Sequence, residues 1–210
     1  MTARAAALLL TAALLLAGCG SAQGAGSLVT DQPTTSPTAA TSVAPPPADL
    51  LAQARLEPCP ASDPTVPARP DGLPDLTLPC LGAGPAVRLA GLRGTPYVVN
   101  LWASWCKPCR AELPLFAALD AATSEVALLG VDVEDDPASA VSLLVASGVH
   151  YPSVRDDARA TRLPLRWTGL PMTLFVAADG VVQHVERAPI TSQAQLDGLV
   201  QQYLGVQVAS

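Results

Sequence analysis

Lysine is almost absent: Lys107 is the only one in 210 residues, and the other eleven basic side chains are arginines that never form a run. A formal net charge of −6, with no basic run or patch along the chain to neutralise phosphates, argues against nucleic-acid binding. Histidine is scarce too, with only His150 and His184, and the Cys106/Cys109 pair has no second Cys/His pair close in sequence. That argues against structural zinc, which draws on two such pairs, and leaves a four-thiol set with Cys59 and Cys80 as the alternative. Long apolar runs are missing as well. The run Ala5–Ala17 is too short to cross a bilayer comfortably, and no internal repeat points to a solenoid.

The first residues carry an early charge, Arg4, then that apolar run, then Leu16-Ala17-Gly18-Cys19. This ending resembles the bacterial lipoprotein processing box, which implies a signal peptide over residues 1–18, cleavage before Cys19 and lipid on its sulfur. Loss of Arg4, with no acid before Cys19, takes the net charge from −6 to −7. The alternative is a secretory signal with a stray cysteine, and both readings place the mature chain outside the cytoplasm. Residues 19–50 are rich in Ser, Thr, Ala, Gly and Pro without hydrophobic period, as expected of a disordered tether. As a coil its reach is on the order of 30 Å. Residues 51–210 then form one domain with an ample core.

Within that domain, extended segments are expected at 74–79, 86–89, 97–102, 126–132, 173–178 and 181–186, the last two joined by the turn Asp179-Gly180. Helices are expected at 106–121, 137–147 and 193–204, with Ser192 and Gln195 as a capping box and Gly205 as the stop. Strand–helix–strand followed by hairpin and helix predicts an α/β fold, a mixed sheet with helices on both faces. The acidic cluster Glu134-Asp135-Asp136 reads as a solvated loop before a helix rather than a metal site.

The octet Trp102-Ala103-Ser104-Trp105-Cys106-Lys107-Pro108-Cys109 carries the chemistry. Two thiols two residues apart, after an apolar strand and opening a helix, form a redox motif. Free N–H groups and the positive end of the helix dipole lower the pKa of the first thiol. Cys106 is therefore the expected nucleophile and Cys109 the resolving thiol. Trp105 and Lys107 flank the nucleophile, the ammonium favouring its thiolate, and Pro108 suits a first helical turn.

Gly94–Pro114 (GTPYVVNLWASWCKPCRAELP), followed by Gly169-Leu170-Pro171-Met172-Thr173-Leu174-Phe175, resembles the TlpA/ResA-like branch of the thioredoxin superfamily over roughly residues 73–205. The resemblance implies a thioredoxin fold with an N-terminal extension and a helix–strand insert at about 132–155. It implies a cis Pro171 facing the cysteine pair and a substrate chain pairing with the backbone at Leu170, with Met172 and Trp105 as apolar neighbours. Asn100 stands where many thioredoxins keep a buried Asp, so the proton-shuttling group is open; Glu112 matches a family Glu. The implied activity is thiol–disulfide exchange with disulfide-bearing exported proteins, with no cofactor or metal beyond the cysteine pair. A transmembrane thiol carrier would supply electrons to a monomeric, lipid-anchored reductase, with apocytochrome c a target in cytochrome c maturation. Donation of disulfides to exported proteins uses the same residues and remains the alternative.

Two other readings compete. Peroxiredoxins place Thr three and Pro seven residues before the reactive cysteine, where this chain has Ala103 and Val99. A copper-delivery protein would suit soft thiolates, but such proteins use a wider Cys-X-X-X-Cys and a distal His. Cys59 and Cys80 flank a Pro-rich stretch and are expected to close a structural disulfide; a redox relay to Cys106 is the alternative.

Overall fold

The computed structural model describes residues 45–208. The expected signal peptide, Cys19 and the tether up to residue 44 lie outside the described residues. The chain begins its regular structure with helix α1 (Ala48–Ala54), three residues before the domain start expected from composition. A two-residue antiparallel ladder follows, β1 (Thr77–Leu78) with β2 (Val87–Arg88), then a 3-10 turn at Leu89–Gly91.

The central sheet has five strands: β3 (Tyr97–Trp102), β4 (Ala127–Val133), β5 (Ser153–Asp156), β6 (Met172–Val176) and β7 (Val182–Glu186), in the order β5-β4-β3-β6-β7. β3 pairs parallel to β4, and β4 parallel to β5; β6 runs antiparallel to both β3 and β7. All six residues of β3 are buried, which explains its near-continuous apolar sequence: a strand covered on both faces needs no polar alternation. The β6–β7 hairpin turns at Asp179-Gly180, where Gly180 takes φ 85° and Asp179 Oδ1 accepts the Val181 N–H at 3.0 Å.

Helix α2 (Lys107–Ala122) connects β3 to β4 and runs on through Pro114. Helix α3 (Pro137–Ser147) and strand β5 form the expected insert. Asp136 caps α3 by accepting the Ser139 N–H at 2.8 Å, and Gly148 ends it at φ 66°. Helix α4 (Arg162–Leu165) is a single turn, and α5 (Gln193–Leu204) closes the fold. Ser192 caps α5 as expected, but Gln195 reaches back to the N–H of Thr191, one residue beyond a standard box.

Alternation along the strands sorts the core into two layers. Val98, Trp102, Leu128 and Phe175 pack with Leu113, Phe116, Leu144, Leu196 and Val200 from α2, α3 and α5, and with Ala54 of α1. Tyr97, Val99, Leu101, Leu129, Val131 and Leu174 pack on the other side with Leu78, Val87, Leu89 and Trp167. Helices on both faces were expected; the long ones share a single face, and the second is covered by the β1–β2 ladder, the 3-10 turn and the α4 segment. The cause is topological. Right-handed crossovers from β3 to β4 and onward to β5 progress in one direction across the sheet, so α2 and α3 fall on the same side.

Gly130 in β4 is set by close approach. A Cβ there would lie 2.3 Å from Ser153 Oγ and 2.7 Å from Trp102 Nε1, both buried.

Candidate active site

Strand β3 ends at Trp102, and a turn through Ala103-Ser104-Trp105 delivers Cys106 as the N-cap of α2. The Cys106 N–H donates to Ala103 O at 3.1 Å, and its Sγ accepts the Cys109 N–H at 3.3 Å. Cys106 and Cys109 are joined as a disulfide with Cα atoms 5.3 Å apart. Cys106 is 5% exposed and Cys109 1%, so an incoming sulfur reaches Cys106 first. The first turn of α2 carries Lys107, Pro108 and Arg110 and no acid. Cations at a helix N-terminus oppose the preference set by the macrodipole, and the same positive field favours a thiolate on Cys106.

The turn is held from the side by the loop after β4. Asp135 accepts from both the backbone N–H and the hydroxyl of Ser104, the latter at 2.6 Å, and the indole N–H of Trp105 donates to Glu134 O at 3.0 Å. Glu134 takes a left-handed φ of 50° and pairs with Arg159. The acidic cluster is therefore divided: Asp136 caps a helix, Asp135 grips the active-site turn and Glu134 faces an arginine. The expectation of a merely solvated loop is corrected here. No local signal links Ser104 to a residue 31 positions away, so only the fold reveals the contact. Behind it, burial raises the carboxyl of Asp132 to about 9, and the neighbouring Asp135 pushes in the same direction.

Leu170–Pro171 is a cis peptide. The antiparallel register pairs Leu101 with Met172, so Pro171 falls beside Trp102, at the end of β3 that leads into the cysteine turn. Leu170 is half-buried and Met172 fully so. Trp105 is 59% exposed.

Glu112 lies one turn beyond Cys109 on the buried side of α2. Its carboxylate accepts the Ile190 N–H at 2.5 Å, while burial drives its pKa from 4.5 to about 7, with Glu186 adding to the rise. Asn100 is buried and accepts from the Tyr151 hydroxyl at 3.4 Å. The histidines are engaged elsewhere: His150 Nδ1 is 2.8 Å from Ala54 O, and His184 stacks on Tyr203 with ring centres 4.1 Å apart. Tyr151 and Trp167 pack in the core, the Trp167 indole N–H donating to Thr161 Oγ1 at 3.0 Å.

Cys59 and Cys80 form a second disulfide, with Cα atoms 6.0 Å apart and a sequence separation of 21. Cys59 belongs to the layer opposite α2, and Cys80 bridges to Val154 of β5. The link therefore staples the segment after α1 to the sheet edge.

Comparison with known proteins places these features. The thiol:disulfide interchange protein DsbE of Pseudomonas fluorescens biotype C is 35% identical over 111 residues, covering 52% of this chain and 61% of that protein. The thiol-disulfide oxidoreductase ResA of Bacillus subtilis (strain 168) is 26% identical over 110 residues, 51% of this chain and 62% of that protein. The chain thus spans somewhat over half the length of these curated relatives. Among solved structures, a secreted Mycobacterium tuberculosis disulfide oxidoreductase homologous to E. coli DsbE superposes with a TM-score of 0.55 at 26% identity, over 61% of this chain and 96% of that one. Residues 71–185, more than half of the sequence and inclusive of both the cysteine turn and the cis-proline, match one family model, and the chain belongs to the AhpC/TSA family.

Proposed function

We propose that the protein is an extracytoplasmic thiol–disulfide oxidoreductase, anchored through lipid on Cys19, that reduces disulfides of exported proteins. The observation that carries this reading is the Cys106–Cys109 disulfide at the cationic, acid-free N-terminus of α2. In the reduced protein the Cys106 thiolate attacks one sulfur of the target disulfide, whose other sulfur leaves as a thiolate and takes a proton. Cys109 then gives up its proton and attacks Cys106 Sγ. This re-forms the observed disulfide and releases the target with two electrons more than it brought. Glu112, one turn from Cys109 and carrying a pKa near neutrality, is suited to accept the Cys109 proton where Asn100 offers no carboxylate. The incoming chain would lie along the backbone at Leu170, as an added strand beside Pro171.

The names of the relatives support exchange chemistry, and the resemblance to the TlpA/ResA branch supports apocytochrome c as a target and a transmembrane thiol carrier as the electron source. The test is the equilibrium reduction potential of the Cys106–Cys109 pair, titrated against thiol buffers. A value near −270 mV fits a reductase, and one near −120 mV makes the protein a disulfide donor instead. A Cys19→Ser variant that stays with the membrane fraction would sink the lipid anchor.

A further inference from the structure

No basic patch is visible along the chain, but folding builds one. Among the described residues, four basic side chains lie within ion-pair distance of a carboxylate: Arg69 with Asp71, Arg88 with Asp75, Arg155 with Asp157 and Arg159 with Glu134. Seven others have no such partner. Two of these, Arg55 and Arg93, lie away from the cysteine turn, beyond α1 and ahead of β3. The remaining five are Lys107, Arg110, Arg162, Arg166 and Arg187, all exposed.

A chain of contacts links Arg162, Arg166 and Arg187 to the cysteine turn, whose helix carries the other two. Lys107 and Arg110 stand on the first turn of α2, directly after Cys106. On one side of that turn, Trp105 leads through Glu134 to Arg159, whose carbonyl accepts from the Arg162 N–H at 3.0 Å and opens α4. At the far end of α4, Arg187 donates to the carbonyls of Leu165 and Arg166, each at 3.4 Å, and lies 3.6 Å from Met172 Sδ, next to Pro171. A rim thus runs from Trp105 through α4 to the cis-proline.

Its frame is rigid. Asp156 receives the Ala160 and Thr161 N–H groups and the Thr161 hydroxyl, which in turn accepts from Trp167. Of the nearby carboxylates, Glu134 is paired with Arg159, while Asp135 and Glu186 accept from the neutral Ser104 hydroxyl and Ala188 N–H and offset only part of the charge of five cations. Trp105 at 59% and Leu163 at 87% are the two large hydrophobic side chains that the described fold leaves exposed, and both stand on this rim.

Unpaired arginines on an otherwise acidic chain and exposed apolar side chains, gathered at one place, mark a binding surface. We propose that the rim is a specificity-determining surface for the target protein, selecting disulfides flanked by acidic residues and an apolar side chain that seats against Leu163 and Trp105. This rests on the exchange reading above. An anionic membrane would satisfy the same charges, but a bilayer pressed on the rim would cover Cys106, so a protein segment is the occupant that leaves the chemistry open.

The test separates binding from exchange. The oxidised full chain is titrated with two labelled synthetic peptides, one carrying Asp, Glu and Leu around serines in place of cysteines, the other with each acid replaced by its amide. Expected is about tenfold tighter binding of the acidic peptide, a preference that shrinks at high salt. It should disappear in an Arg162→Gln/Arg166→Gln double variant, which spares the carbonyl contacts of Arg187. An Arg55→Gln/Arg93→Gln control should retain it. Equal binding of the two peptides by the unmodified protein overturns the proposal. So does binding to phosphatidylglycerol vesicles through the same two arginines without peptide preference. Reduction of hydroxyethyl disulfide by the dithiol form is measured alongside. If it fails while the acidic peptide still binds selectively, the exchange reading falls and the rim stands as a peptide-binding surface.

Discussion

Glu112→Gln should make the oxidised protein less stable in acid and more stable in base relative to the parent. In the fold the carboxyl holds its proton up to about pH 7, against 4.5 for an ordinary glutamate, because burial penalises the anion more than the Ile190 N–H rewards it. A folded-state pKa above the unfolded one gives stability that is full below pH 4.5 and lost as pH rises through 7. The gap between 4.5 and about 7, at about 1.36 kcal/mol per pH unit, puts the total loss at about 3 kcal/mol. Most of it, about 2.5 kcal/mol, falls between pH 5 and 8.5. Glutamine keeps an oxygen for the Ile190 N–H but cannot ionise, so it removes this slope. Its buried amide N–H2 costs on the order of 1 kcal/mol at every pH. Urea unfolding of the oxidised proteins, with Cys106 and Cys109 locked and silent, gives the difference directly. It should run from about zero at pH 5 to about 2 kcal/mol in favour of the variant at pH 8.5, with the parent favoured by about 1 kcal/mol only below pH 4.5. A difference that is the same at both pH values would refute the reasoning, by showing that Glu112 is solvated in the fold. The exchange rate of the reduced parent should carry an inflection near pH 7 that the variant lacks.

Removal of the second disulfide with Cys59→Ala/Cys80→Ala should cost about 3 kcal/mol by the chain-entropy estimate for its loop, read from the urea midpoint, with the Cys106–Cys109 potential unchanged. A relay between the pairs would instead show as a shifted potential. Gly130→Ala should destabilise by about 1–3 kcal/mol through overpacking against Ser153 and Trp102; a loss within error in thermal unfolding would mean that the neighbours move aside freely. Asp135→Asn should cost about 1–2 kcal/mol by weakening the grip on Ser104. Loss of that negative charge should also favour the Cys106 thiolate and raise the potential of the pair, and a lowered potential would contradict the placement.

Local signals were sufficient wherever a short stretch fixed its own geometry. The uninterrupted apolar run of β3, the Asp-Gly hairpin, the Ser192 and Gly205 ends of α5 and the Cys-Lys-Pro-Cys turn all stood where their residues indicated. Helix α1 was missed because Ala48–Ala54 follows three prolines in a stretch of tether-like composition, and only Ala54 is deeply buried. The unequal distribution of helices between the faces depends on crossover handedness, which no single segment encodes. The same holds for the clasp between Asp135 and Ser104, and for the basic side chains that α2, α4 and the segment after β7 bring together around one turn. Charges spread over eighty residues of sequence become a patch only once the sheet order is set.

The two disulfides sit in different layers of the core, with the sheet between them: Cys106 and Cys109 among α2, α3 and α5, and Cys59 among the residues of the opposite face. Under the reductase reading proposed above, the dithiol form has one disulfide always at hand, the Cys59–Cys80 bridge. Thiolate attack needs a straight approach to sulfur, and with the sheet between the two layers Cys106 has none to the Cys59–Cys80 bridge of its own chain. The partition therefore keeps one molecule from reducing its own bridge, and the part-buried Cys80 is the sulfur that a second molecule would meet.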